Sequence, residues 1–159
     1  MITDEKFPRI LIYGQSFNRS TGGGITLSNL FKGWPIDKIA VIGTRFSLRN
    51  STADICKVYF QFGKAERKWL FPLSILQRPH PSGLKEIIER PDGKLVAANI
   101  DEDWGIIGAA HHTLLQRLGL SHLLIQTHLS SNLISWLESY QPELLYIQVS
   151  TRETVLFAT

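Results

Sequence analysis

Residues 9–13, Arg-Ile-Leu-Ile-Tyr, form a short apolar run that meets a glycine-rich stretch at once, and this junction constrains the fold more than any other part of the chain. An apolar run without polar alternation reads as a strand buried on both faces, as in a parallel sheet. Beyond a loop at 15–24, Leu27, Leu30, Phe31 and Trp34 fall at i, i+3, i+4 and i+7, the spacing of one helical face. Pro35 disfavours helical geometry at Trp34 and closes that helix, and Ile39, Ala40, Val41, Ile42 and Gly43 supply a second apolar strand. Strand, glycine loop, helix, strand is a βαβ unit, for which a right-handed crossover is expected.

The rest of the chain extends the pattern. Cys56, Val58, Phe60 and Phe62 alternate with Lys57, Tyr59 and Gln61, which predicts a third strand with one wetter face, nearer a sheet edge. From residue 63 to 104 repeated Pro and Gly break the periodicity, and only 83–90 reads as helical. Ile106, Ala110, Leu114 and Leu118 make a helical stripe ended by Gly119. Leu129, Leu133, Trp136, Leu137 and Tyr140 make another, stopped by Pro142. Residues 144–149 read as a further strand, and Ser150 with Glu153 forms a capping box opening a helix at Val155, Leu156 and Phe157. The expectation is a three-layer α/β/α Rossmann-like domain with a mainly parallel sheet, one domain over residues 1–159. A helix that opens with a capping box and stops at Thr159 within two turns is read as part of a longer protein.

Composition narrows the class. With 43% hydrophobic and 19% charged residues the chain belongs with folded globular proteins, and 159 residues bury a full core without staples. One cysteine, Cys56, excludes an internal disulfide framework and any multi-cysteine zinc module, so a reducing, cytoplasmic setting is expected. No apolar run is long enough for a signal peptide or a membrane span. Residues 1–94 carry 15 Lys and Arg against 8 Asp and Glu, and residues 95–159 carry 2 against 6, so charge is strongly polarised. A basic half attracts anions by its long-range field, although dispersed Lys and Arg also make an ordinary solvated surface. No motif of a nucleic-acid-binding fold accompanies it, so no nucleic-acid partner is expected.

Candidate chemistry concentrates in the first loop. Gly22, Gly23 and Gly24 stand between a buried strand and a helix N-terminus, where a backbone free of side chains, unpaired N–H groups and the helix dipole together suit a phosphate. The same triplet also reads as a plain flexible turn. Ser16 and Arg19 flank the loop, and Arg152 follows the last strand, where a cation would add a second phosphate contact. Neither the P-loop nor the dinucleotide fingerprint fits around Gly14 or Gly22. His80, His111, His112, His122 and His128 lack metal-binding spacing, Asp101, Glu102 and Asp103 read as a solvated loop, and no serine sits in a nucleophile elbow. No metal, no cofactor and no catalytic residue is assigned.

Residues 9–17, the Gly22–Gly24 loop and the Leu27-Ser-Asn-Leu-Phe31 helix together resemble the opening of family 4 glycosyltransferases. Residues 136–146, Trp-Leu-Glu-Ser-Tyr-Gln-Pro-Glu-Leu-Leu-Tyr, are similar to that family's helix, proline-acid dipeptide and strand, with Glu143 where aspartate is usual. The resemblance covers residues 7–48 and 129–159. It implies the N-terminal, acceptor-side half of a GT-B architecture, which would move a sugar from a nucleotide-sugar donor to a sugar or lipid-linked acceptor. The donor would be held mainly by a C-terminal domain, around two glutamates eight positions apart, a separation no glutamate pair here has. Gly22, Gly23 and Gly24 would then line the interdomain cleft, with Ser16 and Arg19 beside them. This half alone would be inactive, and the basic region would permit peripheral contact with the inner face of a membrane. The other reading the residues leave open is a non-catalytic α/β module that binds a phosphorylated ligand at the glycine loop.

Overall fold

The computed structural model describes residues 7–45, 47–48, 51–69, 80–85, 87–89, 95–97 and 125–148. Its centre is a five-stranded sheet. Within it β1 (Ile10–Tyr13) pairs in parallel with β2 (Ile39–Thr44) on one side and with β9 (Leu144–Ile147) on the other. β2 pairs in parallel with β3 (Val58–Phe62), and β5 (Gly83–Lys85) adds antiparallel to β3. The strand order is thus β5-β3-β2-β1-β9. Two short antiparallel pairs stand apart from this sheet: β4 (Arg67–Trp69) with β8 (Ile125–Thr127), and β6 (Ile87–Glu89) with β7 (Leu95–Ala97). The βαβ unit is therefore present, in a mostly parallel α/β arrangement consistent with a Rossmann-like fold.

The continuous apolar runs of β1 and β2 follow from burial of both sheet faces. Ile10, Ile12, Ile39, Val41 and Tyr59 join Leu27 of helix α1 (Gly22–Leu30) and Phe31 at its end in one core cluster. Their strand neighbours Leu11, Tyr13, Ala40, Ile42, Phe60 and Phe62 join Leu133 of helix α2 (Ser131–Tyr140) in a second, against which Trp136, Leu137 and Tyr140 pack. Alternate residues point to opposite faces, so a strand with apolar partners on each side loses its polar positions. Aromatic packing extends both clusters. Phe31 meets Phe17, Trp34 and Tyr146 edge-on, and Trp136 stacks on Phe60 and Tyr140.

Several expectations change. Helix α1 contains the three glycines, which form its first turn, and it ends at Leu30, well before Pro35. Gly33 takes a left-handed φ of 86°, and the Trp34 indole N–H donates to the Pro8 carbonyl at 3.2 Å, so this stretch turns away from helical geometry. Leu30, expected on the core side, is 58% exposed.

β3 lies next to the edge strand, as expected, but it has no wet face: Tyr59 and Gln61 are as buried as Phe60. Their polar tips reach the Thr52 and Pro81 carbonyls, which is how a polar pattern survives inside the sheet. Residues 83–90 are not helical where described. Gly83, at φ 141°, opens β5 on the free edge of β3, and β6 comes after it. Cys56 lies just before β3, its thiol near the Ile39 and Val58 carbonyls. The stripe at 106–118 and the capping box at 150–153 lie outside the described residues.

The second stripe becomes α2, with Ser130 as its N-cap and Gln141 left-handed at φ 51° at its end, while Leu129 stays outside the helix, 56% exposed. Among the described residues no helix is long and apolar enough to cross a membrane.

Candidate phosphate site at the carboxyl edge of the sheet

β1 is flanked by β2, which succeeds it through α1, and by β9, which arrives from the far end of the chain. Strand order therefore reverses at β1, and in open α/β sheets ligands bind in the crevice at the carboxyl ends of the strands where this happens. The loop at 14–21 leaves β1 at that edge. Gly14 starts it with φ 76° and donates its N–H to Ile42 O at 2.8 Å. Phe17 is fully buried, and its carbonyl accepts from Thr52 N at 2.8 Å, fixing the loop to the β2–β3 connection.

Asn18 organises the approach to α1. Its Nδ2 donates to Ser16 O at 3.2 Å, and its Oδ1 accepts from Ser20 N and Oγ and from Thr21 N and Oγ1 at 2.8–3.2 Å. The Thr21 hydroxyl in turn accepts from Gly24 N at 3.1 Å as the N-cap of α1. One buried carboxamide thus sets the cap, and the cap uses one of the donors that a helix start leaves unpaired. Among the described residues nothing accepts from the amides of Gly22 and Gly23, which are exposed.

The glycines differ in what they need. A Cβ on Gly24 would fall 2.3 Å from Asn18 Nδ2, whereas one on Gly22 would meet nothing within 4 Å and one on Gly23 only Gln15 Nε2 at 3.6 Å. Gly24 is required by packing. Gly22 and Gly23 leave open space in front of two unpaired donors.

The flanking candidates divide. Ser16 is buried, and its hydroxyl donates to Ser47 O at 2.7 Å, so it holds the loop to the turn after β2. Arg19 is exposed and pairs with Asp54 at 2.7 Å. Arg152 lies outside the described residues. Neither Asn18 nor Thr21 stands out in the sequence as a site residue, though an Asn and a Thr just ahead of a helix are the residue types that cap one.

The edge holds a second capped helix start. Glu66, fully buried after β3, accepts from Gly63 N at 2.8 Å and from Ser130 Oγ at 2.5 Å, while Ser130 Oγ accepts from Leu133 N as the cap of α2. Its two partners are 3 and 64 positions away, so no local pattern reveals it.

Neither Cys56 nor Tyr59 is poised as a nucleophile. Burial pushes the Cys56 thiol up to about 12 and raises the Tyr59 phenol as well. Among the described residues no group of His, Cys, Asp and Glu could hold a metal ion. Comparison with protein families, with curated proteins and with solved structures finds no match for the chain.

Proposed function

We propose that this chain is the acceptor-side, three-layer Rossmann-like domain of a GT-B glycosyltransferase that uses a nucleotide-sugar donor, with the α1 N-terminus facing the interdomain cleft. The observation that carries the reading is the pair of unpaired, exposed amides at Gly22 and Gly23, placed where strand order reverses. The resemblance of residues 9–31 and 136–146 to family 4 glycosyltransferases supports it. Transfer from a nucleoside diphosphate sugar develops negative charge on the departing diphosphate, and preorganised amides with a helix dipole stabilise such charge without a metal. The described residues bind and orient. The domain that grips the nucleotide is expected elsewhere, so this chain alone is inactive.

The test is sugar transfer by the complete natural gene product, assayed over a panel of nucleotide sugars. Transfer that falls when Gly22 is replaced by a bulky residue supports the reading. A complete product with no second Rossmann-like unit and no transfer overturns it. The same pair of open amides favours a second reading, a non-catalytic module that binds a phosphorylated ligand, and that outcome selects it.

A further inference from the structure

The amino edge of the sheet, opposite the glycine loop, holds an open cavity of about 470 Å³. Its charges come from the strand starts. β1, β2 and β9 run in parallel with Ile10 level with both Ile39 and Leu144, so the residues just ahead of them, Arg9, Lys38 and Glu143, stand side by side. Asp37 precedes Lys38 in the 3-10 turn Ile36–Lys38 that leads into β2. All four line the cavity, together with the aromatic residues Phe7 and Tyr140.

Two of these groups, of opposite sign, are short of partners. Arg9 Nη2 reaches Gln141 Oε1 at 3.5 Å and Glu143 Oε1 at 3.7 Å, both long contacts, and its Nε and Nη1 groups meet no acceptor among the described residues. The Asp37 carboxylate makes no hydrogen bond or ion pair among the described residues, with Arg9 or any other group. Lys38, by contrast, is already engaged. Burial raises the Tyr140 phenol most, and the charges of Arg9, Asp37 and Glu143 all act on it, so the two open groups have one hydroxyl as a common neighbour. That hydroxyl donates to Ile10 O at 3.1 Å, which fixes the ring. Tyr140 is also the last residue of α2, which brings the negative end of that helix to the cavity.

We propose that this cavity binds a zwitterionic aromatic α-amino acid, with its carboxylate on Arg9 and its ammonium on Asp37. A guanidinium with open N–H groups grips a carboxylate through paired, charge-assisted hydrogen bonds. The ammonium is taken by the open carboxylate, with the α2 carboxyl end beside it. Phe7 and Tyr140 then supply the apolar wall against which an aromatic side chain packs. A ligand of one sign leaves the opposite group without a partner, so both charges are read together. The volume is that of a site for one small molecule. Its place at the far end of the sheet from Gly22 and Gly23 makes it independent of the transferase reading.

The experiment is calorimetric titration of the full chain with L-phenylalanine, and with phenethylamine and 3-phenylpropionate, which keep the ring and one charge each. L-phenylalanine should bind, and each single-charge probe should bind at least about tenfold more weakly. Asp37→Asn should weaken L-phenylalanine about tenfold and abolish its advantage over 3-phenylpropionate, and Arg9→Gln should abolish its advantage over phenethylamine. Asp37 holds no bond of the fold among the described residues, so its variant keeps the test sound even if Arg9→Gln unfolds the chain. No binding of L-phenylalanine by the native chain overturns the proposal. Equal affinity for the three probes also overturns it, because only the ring would then be read. So does an Asp37→Asn chain that binds L-phenylalanine as tightly as the native one.

Discussion

Replacing Gly24 by alanine tests the capping arrangement on which the candidate site depends. The added Cβ would lie 2.3 Å from Asn18 Nδ2, 2.4 Å from Cγ and 2.5 Å from Oδ1. Asn18 cannot swing aside cheaply, because it is buried and its amide is bonded at both ends, to Ser16 and to Ser20 and Thr21. Displacing it forfeits at least two hydrogen bonds at about 1 kcal/mol each and leaves a buried amide short of partners, for about 1–3 kcal/mol more. The helix-propensity gain of alanine over glycine offsets about 1 kcal/mol at most. The net loss is about 2–4 kcal/mol, or roughly 4–16 °C in Tm for a domain of this size.

Gly22→Ala, which meets no neighbour, should instead gain up to about 1 kcal/mol. Thermal and urea unfolding of the two variants side by side reads the difference. Adding Asn18→Ala to Gly24→Ala removes the clashing group, so the two losses should fall short of additive by at least about 1 kcal/mol. Equal stability of the Gly24 and Gly22 variants would refute the reasoning.

Other perturbations read the two cores and the second cap. Glu66→Gln puts a donor where Gly63 N or Ser130 Oγ needs an acceptor, and it should cost about 2–3 kcal/mol in urea unfolding. Ser130→Ala removes the cap of α2 and one partner of the buried carboxylate, with a loss of at least about 1 kcal/mol. The Cys56 thiol should resist iodoacetamide in the native state and react only at the rate of unfolding, since burial keeps it protonated. Its pKa is raised, so the unfolded chain releases a proton that the folded chain keeps. Stability is full below about pH 9 and falls as pH rises toward about 12. Tyr59 and Tyr140, also raised by burial, add to the alkaline loss, and Cys56→Ala should flatten its first part.

The central sheet is legible in the sequence because its signal is local. β1 and β2 are runs of apolar residues whose two faces are both covered, and a short window of sequence contains that fact. β3 misleads because Tyr59 and Gln61 count as polar in an alternation pattern, while their tips are satisfied by carbonyls of residues 52 and 81. The strand at 83–85 misleads for a related reason: its partner, the outer edge of β3, lies more than twenty positions back, and register with an edge overrides local periodicity.

The sequence brings the glycine triplet to the helix start after β1, although the glycines form the first turn of α1 and not the loop before it, and the sequence cannot tell the three apart. Which glycine is required depends on where Asn18 folds back, and which flanking side chain is open depends on the turn at 47. Ser16, a candidate contact by position, is occupied by that turn.

The functional argument accordingly rests on Gly22 and Gly23, because the structure gives Gly24 a reason of its own. A glycine at a left-handed φ, or one under a side chain, is explained by the fold. Gly22 and Gly23 are neither: they are absent from the left-handed set and have room for a Cβ. Within a helix each weakens stability relative to alanine. What their bare backbone permits is close approach to two unpaired N–H groups, which a Cβ would crowd.

Gly22→Ala with Gly23→Ala therefore separates the readings by a change of sign. If an anion docks on this helix start, the double variant unfolds at a higher temperature than the native chain yet binds pyrophosphate or nucleotide sugar more weakly. If the triplet is a plain turn, the stability gain comes with no change in binding. That second result would remove the glycine loop from the site.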